Sequence, residues 1–313
     1  MRFDENANLD TSQVEDMRGS GGGGGSPLGG RVALGGGGLG ILGLILYFLV
    51  SQLGGAGGSG LALPGGLTGL SSGQSADNTQ IAQSCQTGAD ANTKVDCEVT
   101  AVVNSLNGYW SDAMARSGQT YRAPKTVFFN GSVNTGGCGG ATSAVGPFYC
   151  PADSKVYIDL SFFKELQTRF GAQGGPFARA YVIAHEYGHH IQNLLGTNRR
   201  VQAGDTGPTS GSVRLELQAD CYAGVWANHA ASVPTSSGRP LITNVTQADV
   251  SAALDTAARI GDDYIQTQLG GGRVNQSQFT HGSSAQREKW YTTGYQTGDP
   301  ARCDTFSRGV NLG

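Results

Sequence analysis

One short segment, YVIAHEYGHHIQNLL (181–195), limits the possible folds of this chain more than any other part of it. Its apolar residues recur at helical spacing, and we predict a helix over residues 177–195. His185 and His189 are four residues apart on one face of such a helix, where two imidazoles can bind one zinc ion. Glu186 lies beside them and can reach a water molecule at the metal rather than the metal itself. Two ordinary helix histidines are the alternative.

A zinc site needs a third protein ligand, and a catalytic site leaves the fourth position to water. A metzincin would have Gly at position 192 and His at position 195, but Gln192 and Leu195 stand there, so that class is excluded. His190 points about 100° away on the helix, and we do not expect it to share the metal. Gly188 lies inside the helix at a cost of about 0.8–1 kcal/mol relative to Ala. Either another backbone or the substrate approaches it closely, or it gives packing room.

A second pair of residues at i and i+4, Glu216 and Asp220, lies in the segment LELQAD of a helix predicted over residues 212–231. One carboxylate can bind zinc while the other accepts the free ring N–H of a ligating histidine, which fixes the orientation of the ring. Two facing helices would then complete a site of two histidines and one glutamate. A solvated helix face is the alternative, and the flanking Leu215 and Leu217 argue against it.

With these motifs the chain resembles the bacterial neutral zinc metallopeptidases, a membrane-anchored family of the gluzincin type, along nearly its whole length. The segments that carry the resemblance are residues 8–19, GPFYCPAD (146–153), YIDLSFF (157–163), AYVIAHEYGHHIQ (180–192), LELQADCYAGVWA (215–227), IGDDYIQ (260–266) and FTHGSSAQR (279–287). The resemblance implies a zinc-dependent peptidase that binds one Zn²⁺ per chain. It assigns the metal to His185, His189 and Glu216, and the catalytic glutamate role to Glu186. Asp220 matches the Asp of the family's Glu-x-x-x-Asp pattern.

We therefore predict an endopeptidase that hydrolyses peptide bonds through a zinc-bound water, with Glu186 as the general base. The developing oxyanion needs one more donor, for which His281, Tyr187 and Tyr222 are candidates. We select His281 because no other task is evident for it. A contact at the N-terminus of the following helix, beside Ser283, is the alternative role for this histidine.

Two other classes of function are compatible with these motifs. One is a catalytically inert zinc-binding scaffold on a peptidase fold, and the other is an amidase that acts on cell-wall peptides. Glu186 argues against the scaffold, because a purely structural zinc site has no use for that carboxylate.

Glycine supplies 51 of the 313 residues and is concentrated in residues 19–74. Such stretches bury too little surface to offset chain entropy, and we interpret them as flexible. Residues 32–53 carry no charge and are long enough to cross a hydrocarbon core of about 30 Å as one helix. A cleaved signal peptide is disfavoured by the long acidic segment before them and by the lack of an Ala-x-Ala site. A buried core helix is disfavoured by the polyglycine on both sides.

Basic residues set the orientation of this predicted anchor. Arg2, Arg18 and Arg31 precede it, and the next basic residue is Lys94. The positive-inside bias then places the N-terminus in the cytoplasm and the C-terminal domain outside. The sequence thus predicts a single-pass protein of the bacterial cell membrane with an extracytoplasmic catalytic domain.

The predicted organisation has four parts, which are a cytoplasmic tail (1–31), a transmembrane anchor (32–53), a flexible linker (54–92) and a zinc metallopeptidase domain (93–313). The domain is expected to be α+β, mainly helical and zincin-like, with a small sheet that includes strands over residues 125–130 and 155–160. Its expected partners are a peptide or protein substrate and, through the anchor, the membrane. A net charge of −3 without a long Lys/Arg run argues against nucleic acid.

All six cysteines follow the apolar segment, and an even count in the predicted exterior favours disulfides. Six cysteines allow 15 pairings. We predict that sequence neighbours pair, which gives Cys85–Cys97, Cys138–Cys150 and Cys221–Cys303. Buried free thiols, Cys221 above all, are the alternative. The loop between Cys138 and Cys150 either lines or covers the cleft or is a stapled surface loop.

Overall fold

The structure, a computed structural model, describes residues 1–19, 75–202, 204–234 and 238–313. Its α-helices are α1 (Thr79–Ser84), α2 (Gly88–Ala91), α3 (Val95–Arg116), α4 (Phe162–Thr168), α5 (Pro176–Leu195), α6 (Gly211–His229), α7 (Gln247–Arg259), α8 (Asp262–Tyr264) and α9 (Ser284–Thr297). Its strands are β1 (Arg2–Phe3), β2 (Val14–Asp16), β3 (Lys125–Phe129), β4 (Ser132–Asn134), β5 (Gly140–Thr142), β6 (Phe148–Cys150), β7 (Lys155–Asp159) and β8 (Ile242–Asn244).

A four-stranded sheet has the order β2-β3-β7-β6. Strand β3 runs parallel to both β2 and β7, with Thr126 opposite Val156, while β6 runs antiparallel to β7. Strands β3 and β7 are each buried along four of their five residues, which explains their nearly continuous apolar sequences. Strand β6 is an outer strand of this sheet.

Helix α5 lies at the centre of the fold, between the sheet and the other long helices. Its start is set by Pro176 in the first turn and its end by Gly196, which has a left-handed φ of 73°. Tyr187 packs toward the sheet, with its hydroxyl 3.2 Å from Thr126 Oγ1. Arg179 Nη2 donates to Glu98 Oε2 of α3 at 2.6 Å. These contacts hold the histidine-bearing helix from both sides.

The three predicted disulfides are confirmed as Cys85–Cys97, Cys138–Cys150 and Cys221–Cys303. Within the described ranges there is no free cysteine. Cys221 is fully buried, as expected for a free thiol, but it is bonded to Cys303 and so ties α6 to the C-terminal segment.

The predicted boundaries of the tail and the linker need correction. Strand β2, from the predicted cytoplasmic tail, pairs with β3 of the predicted outer domain. Strand β1 pairs with β8, and the amino group of Met1 forms an ion pair with Asp249. Helices α1 and α2 lie in the predicted linker. A single membrane crossing would put β2 and β3 on opposite sides of a bilayer, so the predicted topology is wrong.

The transmembrane helix in the predicted fold is also corrected. Residues 32–53 lie outside the described residues, and among the helices of the described ranges none is both long and apolar enough to cross a bilayer. The longest of them, α3, has 22 residues but carries four charged side chains. The single-pass membrane location depended on that helix and is withdrawn.

Candidate active site

Three side chains from two adjacent helices converge at one point. Helix α5 supplies His185 and His189, and α6 supplies Glu216. His185 Nε2 lies 3.2 Å from His189 Nε2 and 3.1 Å from Glu216 Oε2. His189 Nε2 lies 3.4 Å from Glu216 Oε1. Glu216 is only 3% exposed, so it does not belong to a solvated helix face.

These distances fit a bound zinc ion. Ligand atoms about 2.0–2.1 Å from a tetrahedral zinc lie about 3.3–3.4 Å from one another. The other ring nitrogens face acceptors: His185 Nδ1 lies 2.8 Å from Asp220 Oδ1, and His189 Nδ1 lies 2.9 Å from Gln192 Oε1. With the ring protons on Nδ1, two Nε2 lone pairs and the Glu216 carboxylate face each other. They repel one another unless a cation lies between them, so this donor set suits zinc.

Asp220 is held behind His185 by a buried network. Its Oδ1 accepts hydrogen bonds from the Tyr181 hydroxyl at 2.6 Å and from Arg287 Nη2 at 2.9 Å. Burial by itself raises the pKa of Asp220, but Arg287 and His185 outweigh burial and bring the pKa below its ordinary value. The residue therefore stays a carboxylate that can orient the His185 ring, the role expected for it.

Three members of this arrangement were not predicted from the sequence. Tyr181 precedes His185 by four residues and Gln192 follows His189 by three, so helical spacing alone could have placed each beside its histidine. Gln192 Nε2 donates to the Leu215 carbonyl at 2.6 Å, which turns the amide oxygen toward His189. Arg287 comes from α9, and no local sequence pattern connects it with α6.

Glu186 faces a cleft of about 430 Å³. Its side chain is largely buried and forms no hydrogen bond with any residue that the structure describes. Burial raises the pKa of the Glu186 carboxyl. The carboxylate can thus accept a proton from a molecule in the cleft. Cys138 and Val145 line the same cleft, so the loop between Cys138 and Cys150 is part of its wall rather than a surface staple.

His281 also lines the cleft and is held by Asp262. Asp262 Oδ2 accepts the backbone N–H groups of Thr280, His281 and Gly282 at 2.7, 2.7 and 3.0 Å, and Oδ1 lies 3.2 Å from His281 Nδ1. His281 Nε2 is buried and has no partner among the described residues. Burial lowers the pKa of His281, but the Asp262 carboxylate outweighs burial and raises the pKa above its ordinary value. This shift favours the protonated ring, in which Nε2 carries a hydrogen and can act as a donor.

The other residues considered for the oxyanion do not face the cleft. The Tyr187 hydroxyl contacts Thr126, and the Tyr222 ring packs edge-to-face on Trp110. Neither tyrosine is among the described residues that line the cleft. As expected, His190 points away from the metal ligands, and its Nε2 lies 2.7 Å from the Arg122 carbonyl.

Gly188 lies where α5 and α6 are in closest contact. A Cβ atom at this position would lie 2.8 Å from Ala219 Cα and 2.9 Å from the Ala219 carbonyl oxygen. Both are backbone atoms and cannot move away without separating the helices. The glycine is therefore explained by the approach of another backbone, and this approach sets the distance between Glu216 and the histidines.

Gly188→Ala is expected to lower the free energy of unfolding by about 1–3 kcal/mol, because overpacking outweighs the better helix propensity of alanine. Chemical denaturation of the zinc-loaded protein measures the change. Gly108→Ala in α3 is the matched control, since the Cβ added there meets only a side-chain methyl, Val233 Cγ1, at 3.1 Å. Equal effects of the two substitutions would contradict the explanation.

The family model described as "Putative neutral zinc metallopeptidase" matches residues 1–306. The chain belongs to this family. An uncharacterized protein of Mycobacterium tuberculosis is 53% identical over 224 residues, which cover 71% of this chain and 74% of the relative. The uncharacterized protein YpfJ of Escherichia coli is 39% identical over 309 residues, or 96% of this chain and 98% of the relative. No solved structure matches the chain.

Membership agrees with the resemblance seen in the motifs, and a zinc metallopeptidase family implies zinc. In the described ranges, His185, His189 and Glu216 form a group with the right donor atoms. A second group, Cys85, Asp96 and Cys97, is unsuitable because its two sulfurs are joined in a disulfide. This member of the family thus has one suitable ligand set within its described residues.

Proposed function

We propose that this member of the family is a zinc-dependent endopeptidase. The observation that carries the proposal is the position of Glu186, a carboxylate next to the ligand set that opens into a cleft and forms no hydrogen bond with the described residues. A structural zinc site has no use for such a group and usually fills its fourth position with Cys or His. Bound zinc would polarise the scissile carbonyl and lower the pKa of a neighbouring water to about 7.

The protein's own residues move the protons and stabilise the charge. Glu186 accepts a proton from the attacking water and later passes it to the leaving amine. His281 donates from Nε2 to the carbonyl oxygen as negative charge develops there. Asp262 fixes the His281 ring by its contact with Nδ1, so this donor needs little reorganisation during the reaction.

The walls of the cleft favour an extended peptide as the substrate. Phe148 and Tyr149 of β6, an outer strand of its sheet, place aromatic side chains along one wall of the cleft. Phe162 and Phe170 add apolar surface for side chains. A cleft rather than a closed cavity suits hydrolysis of a bond inside a chain.

The proposal is tested with casein and the zinc-loaded full-length chain. We expect cleavage of casein, loss of cleavage after treatment with a chelator, and recovery when Zn²⁺ is added back. Parallel assays use peptidoglycan fragments. Release of peptides from these fragments without cleavage of casein would favour an amidase, and inactivity on both substrates with zinc bound would favour the inert scaffold.

A further inference from the structure

The cleft has two unlike ends along helix α5, with the candidate metal ligands between them. One end, near Val182 in the first half of the helix, is apolar. Ile260 lies at this end because Arg287 donates to both the Ile260 carbonyl and the Tyr181 hydroxyl. Phe170 follows through the bond from the Tyr264 hydroxyl to its carbonyl, and Phe162 packs on the Phe170 ring. The other end, at the close of the helix, is polar. Its lining includes Asn193, Asn198 and Arg199.

Two arginines are among the described residues that line the cleft, and Arg199 is the one left for a ligand. Its side chain is exposed and forms no hydrogen bond or ion pair with them. Arg287, the other arginine of the lining, is 2% exposed and is bound to Asp220. Asn198 Nδ2 donates a hydrogen bond to Asn193 Oδ1 at 3.0 Å. This hydrogen bond holds the turn that carries Arg199 against the end of α5.

The length of the cleft sets the spacing of the groups that it can bind. Val182 and Asn193 are about 16 Å apart along the axis at the helical rise of 1.5 Å per residue. An extended peptide rises about 3.3 Å per residue, so about five residues cover this distance. A peptide along α5 therefore has one end in the apolar part and the other near Arg199, with Glu186 between.

We propose that Arg199 binds a carboxylate of the peptide substrate, three to five residues from an apolar side chain that occupies the opposite end of the cleft. The carboxylate is either an acidic side chain or the free C-terminus of the peptide. This proposal rests on the proposed function, because it takes a peptide as the substrate of the cleft. Arg199 is thus a specificity-determining residue, not a catalytic one.

Arg200 provides a matched control. It follows Arg199 directly, is also exposed, and differs in having partners: its Nη2 donates to the Phe306 carbonyl at 3.3 Å, and its guanidinium lies over the Phe306 ring. It does not line the cleft among the residues described there. Arg199→Glu and Arg200→Glu change the net charge equally, so a general electrostatic effect would be the same in both.

The test measures binding without requiring turnover. Each fluorescent peptide has blocked ends, one Phe, and a Glu, Gln or Lys four residues before or after the Phe. These peptides are titrated into the zinc-loaded, full-length Glu186→Gln variant. A further pair, the Gln peptide with a free or an amidated C-terminus, separates a chain-end carboxylate from an acidic side chain. Wild-type kcat/KM values for the same peptides are measured in parallel.

We expect a carboxylate-bearing peptide to bind about fivefold more tightly than its neutral partner, the upper range for a solvent-exposed ion pair. Adding Arg199→Ala should remove this preference, and Arg199→Glu should shift it to Lys, while Arg200→Glu should retain it. The preference should also shrink in 1 M salt, where charges are screened within about 3 Å.

Equal binding of all peptides, or a preference that survives Arg199→Ala, would overturn the proposal even if the wild-type chain hydrolyses every peptide. In the opposite case, a preference for carboxylates that depends on Arg199 but comes without hydrolysis would support the binding role of Arg199. It would then be the proposed peptidase function that fails.

Discussion

Replacing Glu186 by glutamine is expected to lower kcat for peptide hydrolysis by about 10²- to 10⁴-fold while zinc stays bound. The amide has nearly the shape of the carboxylate, but it cannot take a proton from water at neutral pH. Glu186 forms no hydrogen bond with the described residues, so the substitution breaks none of their contacts. The imidazoles and the carboxylate that form the candidate ligand set are unchanged.

Three measurements on the same preparation decide this prediction: kcat on a quenched peptide, zinc content by metal analysis, and the midpoint of thermal unfolding. Glu288→Gln is the matched control. Two glutamates, Glu216 and Glu288, follow the histidine motif, and Glu288 is not among the described residues that line the cleft. Retained turnover in Glu186→Gln would refute the general-base role. Loss of zinc together with turnover would indicate that Glu186 is a ligand.

The parts of the site that the sequence predicted are those set by helical spacing. His185 and His189, and likewise Glu216 and Asp220, are four residues apart, so each pair had to share a face once its segment was helical. The end of α5 at Leu195 is equally local, because Gly196 follows it in the left-handed region, whereas α6 starts at Gly211 after its N-cap Ser210 and not at the predicted residue 212. Residue spacing did not predict that the two helices are in contact. Gly188, a glycine inside a helix, was the sequence feature that indicated a close approach of another backbone.

The parts that the sequence did not predict depend on contacts between distant segments. Strand β2 has three residues, too few for a periodic pattern, and it gains its place by pairing with β3 more than 100 residues later. The apolar run at residues 32–53 was interpreted from its composition alone, and composition contains no information about which strands pair on either side of it. The role of Asp262 was not predicted for the same reason, because its contacts with residues 280–282 arise only after the chain has folded.

Glu216→Ala is expected to reduce bound zinc from one ion per chain to a small fraction of that, and hydrolysis should be lost with it. The two imidazoles that remain on α5 provide two of the three protein ligands that a catalytic zinc needs. Removal of the carboxylate also leaves His185 and His189 facing a cavity instead of a counter-charge, which further weakens the attraction for a cation. Metal analysis after dialysis against a weak chelator measures the loss.

The decisive comparison is with Glu186→Gln, because both variants should be inactive for different reasons. Zinc at 100 times its Kd stabilises a protein that binds it by about 2.7 kcal/mol, so added zinc should raise the unfolding midpoint of Glu186→Gln but not of Glu216→Ala. Glu216→Gln keeps the size of the side chain and should show the same loss if Glu216→Ala folds poorly, while Glu288→Ala should bind zinc normally. Full zinc content in both Glu216 variants would remove Glu216 from the ligand set.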